Sequence, residues 1–312
     1  MRRAIRLWIS IAIAFAGTSS FAVDIYVDNV NGNDGNDGLA PEIQTPVTGP
    51  VRTLRRATQL LQRGDALVIR NTGRAYFEPL VLAGRRHSGL PDHPLIVRGN
   101  GAMLCGLRQL PNEGWRRLDN GVWRLSLTRK GYYRFFREGE AWPEYQGENN
   151  PIQLADLPEG HWASLHGTVY FRFAEKDVPI DSKWTYAADD QGISLVDVHD
   201  VVIVDLQVAG FRVDGINADN HCRHVVLERV TTEHNGRAGL AAGGSARVLL
   251  RNSRVSANGR YSILVTESAG VDVEASDLGG VEPTLASSAS ASGVSVSAAF
   301  STSANVRPVV LK

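Results

Sequence analysis

The sequence predicts an all-β solenoid, a coil of short parallel strands stacked rung on rung, and three observations carry that prediction. First, "GISLVDVHDVVIVDLQVAGFRVD", "GINADNHCRHVVLERVTTEHNGRA" and "GLAAGGSARVLLRNSRVSANGRY" align as repeats that begin at Gly192, Gly215 and Gly239. Ser262 opens a fourth, so the period runs 23, 24 and 23 residues. Units of this length with several short strands stack, because no single unit can bury its own apolar face. Second, apolar residues recur in register: Ile193, Ile216, Leu240 and Ile263 form one column, and Ile203, Leu227, Leu250 and Val273 another. Third, Asn235-Gly236-Arg237 and Asn258-Gly259-Arg260 fall at the same point of successive units, which places a turn there. A leucine-rich repeat has a similar period, but it needs leucines and an Asn at fixed offsets that these valine-rich units mostly lack. A parallel β-helix is the better match.

The chain opens with "MRRAIRLWISIAIAFAGTSSFA", residues 1–22, in which Arg2, Arg3 and Arg6 precede an apolar run from Leu7 to Ala16 and small residues at Ser20 and Ala22. That is the pattern of a signal peptide, and the run falls short of the ~20 apolar residues of a membrane span. A secreted or periplasmic chain is expected, with no membrane span. Lys plus Arg number 33, as do Asp plus Glu, so nothing suggests a nucleic-acid partner. Only Lys130, Lys176, Lys183 and Lys312 are lysines. Cys105 and Cys222 are candidates either for pairing in an oxidising compartment or for free buried thiols.

Residues 23–110 read as an N-terminal cap followed by the first rungs. After the strand around Ile25, "DNVNGNDGNDG" offers many acidic and amide oxygens. No register from Asp28, Asn29, Asn31 or Asn33 supplies both the Gly at position six and the Glu at position twelve of a calcium loop, so a compact turn is expected. In "GPVRTLRRATQLLQRG", Val51, Leu54, Ala57 and Leu61 recur at helical spacing between Pro50 and Gly64, which predicts a helix covering the open end of the stack. Residues 111–190 break the repeat with alternating aromatic strands such as "GYYRFFREGEAW", a small antiparallel insertion. Its tryptophans and tyrosines suit its own core better than sugar stacking. Residues 191–280 are the repeated rungs. The tail, 281–312, is rich in Ser and Ala and reads as one loose rung or as disorder.

"YVDNVNGNDGNDGLAP", "PVRTLRRATQLLQRGDALVIR", "GLPDHPLIVRGNGAMLCG" and the repeats after Gly192 together resemble the exported right-handed parallel β-helix proteins, which include polysaccharide lyases of the pectate lyase type. The resemblance covers most of residues 24 to 278. It implies a monomer that binds a polysaccharide on an exposed sheet, with calcium held by acidic side chains and a Lys or Arg as base. β-Elimination needs both, because a weakly acidic proton is removed beside a carboxylate that a cation must neutralise. No lysine occurs between Lys183 and Lys312, so arginine or another residue would have to serve.

Residues that break a repeat call for another explanation than stacking. Glu228, Arg251 and Glu274 share a column and read as a surface charge ladder. Asp214 aligns with Ala238 and Tyr261, Asp219 with Val196 and Gly243, and His234 with Gly210 and Ala257. The extra residue of the 24-residue unit lies within "DNHCRH", where a bulge would carry His221. Asp214 and Asp219 are therefore the candidate calcium or metal ligands, Asn217, His234 and Tyr261 the substrate contacts, and His221 and Arg237 the candidate bases. Two other readings compete with a lyase or epimerase. One is a glycoside hydrolase using two of Asp197, Asp214 and Asp219. The other is a non-catalytic glycan-binding protein, in which polar turn residues merely satisfy backbone.

Overall fold

A computed structural model describes residues 22–118, 120–147, 152–174 and 183–279, together with the strands Leu285–Ser288, Gly293–Ser297 and Pro308–Leu311. The chain is an all-β right-handed parallel β-helix. One ladder stacks Leu80–Ala83, Gln191–Val196, Asp214–Asp219, Ala238–Ala242 and Tyr261–Val265, all parallel. A second stacks Asp24–Val27, Ala66–Ile69, Leu95–Cys105, His199–Ala209, Arg223–Glu228, Arg247–Arg251 and Gly270–Glu274. Shorter strands, Thr231–Glu233 and Arg254–Ser256, stack in parallel on the far end of His199–Ala209 as a branch of the second ladder. The three strands in the tail extend both ladders.

The predicted columns are the core. Ile193, Ile216, Leu240 and Ile263 pair in register with no solvent exposure, and so do Ile203, Leu227 and Leu250, with Val273 next on the stack. Polar ladders hold the turns. Asn235 is fully buried, accepts the Phe211 amide (3.0 Å) and donates to Asn258 Oδ1 (3.0 Å). Glu228 and Arg251 pair on the surface at 2.5 Å, as their shared column implies. The extra residue of the 24-residue unit falls between Asp219, opposite Val196, and Arg223, opposite His199.

At the N-terminal end, the Asn/Asp/Gly run forms the expected turn. Asp28 is fully buried, and its carboxylate accepts the amides of Val30 and Asn31, both at 2.8 Å. The helix is shorter than the spacing predicts, Leu54–Leu60. Val51 does not join it, because its backbone bonds Tyr26 and Asp28 and so extends the first strand's pairing. Thr53 caps the helix by accepting the Arg56 amide, and Leu54, Ala57 and Leu61 bury one face against the stack. No helix among the described residues is long and apolar enough to cross a membrane.

The chain leaves the coil after Cys105 and returns at Gln191. Between these points lie two four-stranded antiparallel sheets, one built on His161–Leu165 and Thr168–Arg172, the other on Phe135–Arg137 and Trp184–Ala187. Phe135, Trp162, Phe171 and Trp184 are buried between them, with Phe135 4.9 Å from both Trp162 and Phe171. The aromatic residues thus mainly make the insertion's own core. Arg212 ties the insertion to the coil by donating to the carbonyls of Lys130 (2.6 Å) and Gly131 (2.9 Å).

Candidate functional site on the first ladder

Outward positions of the first ladder alternate with the core residues, so Asn217 and Asp219 flank the inward Ala218. Asp214 opens the same strand and Asp219 closes it, five residues or about 16 Å away. That separation divides the candidate residues into two clusters.

The first cluster centres on Asp214, which is fully buried. Arg237, one rung on, donates from Nε to Oδ1 (2.9 Å) and from a terminal nitrogen to Oδ2 (2.6 Å), and Asn217 Nδ2 reaches Oδ2 at 3.3 Å. The hydrogen bonds to Asp214 raise the Arg237 pKa further, against the lowering effect of burial. A guanidinium held this way is a structural counterion and a poor proton acceptor. Its carbon lies 5.7 Å from the centre of the Tyr132 ring, which the insertion lays over it. Tyr261, in the same column as Asp214, is half-buried against Ala238.

The second cluster occupies the bulge at the other end. Asp197 and Asp219 stand on adjacent rungs: Asp219 pairs with Val196, and Asp197 follows that residue just past the end of its strand. Asn220 links them: its amide donates to Asp219 Oδ1 (2.7 Å) and its side chain to Asp197 Oδ2 (3.3 Å). His221 Nδ1 lies 3.2 Å from Asp197 Oδ1, and 80% of its side chain is exposed. Hydrogen bonds from His221 and Asn220 hold the Asp197 carboxyl below the usual carboxylate range. Beside this cluster, Asp200 receives His199 at 2.8 Å and His224 at 2.9 Å.

Of the remaining expected residues, His234 joins neither cluster. It lies at the end of Thr231–Glu233 with its ring edge-on to Phe136 (5.6 Å), and burial lowers its pKa. Asp214 and Asp219 cannot share one calcium ion across a strand's length, and the oxygens of Asp214 already accept Arg237 and Asn217. Among the described residues no three His, Cys, Asp or Glu side chains are grouped to hold a metal. Cys105 and Cys222 are both free and buried. Of the expected leader, residues 1–22, all but the last residue lie outside the described residues.

The chain also passes a cavity of about 300 Å³ where the insertion meets the turns at Gly236 and Gly259. Tyr132, Arg134, Trp142, Glu144, Trp162 and Arg260 line it. Most of these residues belong to no repeat with which they could be aligned. The one available signal was the dense run Gly131-Tyr132-Tyr133-Arg134.

Comparison with known proteins agrees with the coil. A family model described as "Right handed beta helix region" matches residues 181–301. Among solved structures, the chain is similar to one described as "The complex structure of XylC with xylose", at 10% identity and a TM-score of 0.53 over 88% of this chain and 60% of the other. It is also similar to one described as "Glycoside hydrolase", at 11% identity and a TM-score of 0.48 over 86% and 79%. A GH136 lacto-N-biosidase from Eubacterium ramulus follows at 10% identity and a TM-score of 0.40 over 85% and 45%. The chain spans about three fifths of the first structure's length, and the likeness to it is one of fold. No curated protein matches it significantly in sequence.

Proposed function

We propose that this is an exported, polysaccharide-active protein that cleaves glycosidic bonds with the carboxylates Asp197 and Asp219. The observation that carries the reading is their placement on adjacent rungs at one end of an open strand face, joined through Asn220. Glycosidases work with two carboxyl groups about 5 to 9.5 Å apart, a range that side chains on neighbouring rungs span. Asp197, held ionised by its hydrogen bonds, is the base or nucleophile. Asp219 is the acid that protonates the leaving oxygen. A solved structure similar in fold is described as a complex with xylose, which supports a sugar ligand for this chain.

Elimination is the second reading, and His221 supports it. Its Nδ1 is engaged by Asp197, which leaves Nε2 to take a proton from a uronate ring. Arg237, the other expected base, is committed to Asp214.

The experiment is a panel of neutral and acidic polysaccharides incubated with the full chain, with and without calcium. Hydrolysis releases reducing ends without ultraviolet absorbance, and Asp197→Asn and Asp219→Asn each lower the rate by about 10²–10⁴-fold. Unsaturated products lost in His221→Ala would replace hydrolysis with elimination. No product from any polysaccharide would overturn both readings.

A further inference from the structure

We propose that the cavity between the insertion and the solenoid turns is a second carbohydrate site, taking a sugar ring that carries one anionic substituent. It stands apart from Asp197 and Asp219, at the other end of the strand face, and its lining comes from the insertion and from the turns that precede the strands. Its volume, about 300 Å³, is at the small end of the range for ligand pockets.

Four side chains give it a chemistry. Tyr132 presents a ring that is 41% exposed, the kind of apolar face on which a pyranose packs. Arg134 and Arg260 bring two guanidinium groups. The Arg134 side chain donates to the Ala257 carbonyl (3.2 Å), while that of Arg260 makes no hydrogen bond or ion pair among the described residues. Glu144 likewise has no such partner there. Crowding by protein pushes its carboxyl up, although Arg260 and Arg134 pull the other way. The site therefore holds positive charge in excess of what Glu144 neutralises, and Glu144 is suited to bonding sugar hydroxyls. A carboxylate or sulfate on the ring would supply the missing negative charge to the arginines.

The walls are built before any ligand arrives. A Cβ on Gly236 would come within 2.2 Å of the Tyr132 carbonyl oxygen, and one on Gly259 within 2.2 Å of the Gly236 carbonyl oxygen. Only glycine at 236 lets the insertion's loop lie directly on that turn, and glycine at 259 lets the next turn stack against it. Tyr132 itself has φ 52°, the left-handed region that a bulky side chain seldom adopts. Arg212 holds that strained loop through the carbonyls of Lys130 and Gly131. Strain of this kind collects at binding sites, where the surroundings must over-determine it.

The test is titration of the full chain with glucuronic acid, glucose 6-sulfate, glucose and inorganic sulfate, read by calorimetry and by tryptophan fluorescence from Trp142 and Trp162. Either anionic sugar is expected to bind at least about tenfold more tightly than glucose, the tighter of the two identifying the substituent. Arg260→Ala should cost about tenfold or more in affinity with only a small change in melting temperature, because it breaks no hydrogen bond or close ion pair and removes only a longer-range attraction to Glu144. Asp197→Asn should leave the affinity unchanged, so the site stands or falls independently of the proposed cleavage. Glucose binding as tightly as glucuronic acid would overturn recognition of charge. Inorganic sulfate binding as tightly as the sugars would overturn recognition of the ring. Binding that survives both Arg260→Ala and Tyr132→Ala, or no binding of any sugar, would overturn the site.

Discussion

Removing Arg237 separates its structural role from a chemical one. Asp214 has no exposed surface, and the Arg237 side chain is 26% exposed. In Arg237→Ala the carboxylate keeps only the 3.3 Å bond from Asn217 and loses two charge-assisted bonds at 2.9 and 2.6 Å. Breaking a buried pair from one side costs about 3–5 kcal/mol, because the remaining charge is stranded. Partial solvation on the arginine side points to the lower end, about 3 kcal/mol. That is a large share of a total stability of about 5–15 kcal/mol. Guanidinium unfolding followed by circular dichroism measures it, with the slope checked because a stack of rungs can unfold in parts. Asp214→Asn/Arg237→Ala strands no charge, so it should recover at least about 1 kcal/mol of the loss. An Arg237→Ala midpoint equal to wild type, or a double variant no better than the single, would refute the reasoning. Lost activity with intact stability would instead restore Arg237 as a candidate base.

Three other perturbations test the coil and its face. Leu227, fully buried between Ile203 and Leu250, should cost about 2–5 kcal/mol as Leu227→Ala, and Leu227→Asp should give no folded protein; a soluble variant with unchanged melting would contradict the column. Burial raises the Asp200 pKa, but hydrogen bonds from His199 and His224 outweigh it and leave the carboxyl below its ordinary value. A carboxyl lowered on folding contributes stability above its unfolded pKa of about 4 and loses it as pH falls through the folded value, so the deficit of Asp200→Asn should shrink in acid; a deficit equal at pH 6 and pH 3 would refute this. A glycan that engages both the cavity and Asp197 must run the length of the strand, so KM should fall as oligosaccharides lengthen, and Tyr132→Ala should flatten that dependence while leaving kcat unchanged.

The rungs were legible because a solenoid repeats the same physical problem every turn. Ile216 must be apolar for the reason Ile193 and Leu240 must be, and the recurrence exposes the register. The same regularity places the extra residue within Asp219–His224, since an insertion in a stack has to leave a bulge, and the strand register narrows it to the stretch between Asp219 and Arg223. The helix begins about one turn later than its apolar spacing predicts. Spacing alone could not tell that Val51 faces the core from a strand-like bridge to Val27.

The site was legible only where it departs from a column. Asp214 stood out beside Ala238, and the same alignment puts Arg237 one residue before Ala238, so the ion pair was implicit in it. What the alignment could not supply was burial, which turns the pair from a chemical site into a structural one. The lining of the cavity was less accessible still. Tyr132, Arg134 and Glu144 belong to an insertion with no repeat, and Arg212 and the close-packed Gly236 fix its position on the coil. In the sequence Gly236 reads as a turn residue, and it is one. Its further role is to let a second sheet system approach closely enough that side chains 100 residues or more apart in the chain, such as Tyr132 and Arg260, share one cavity.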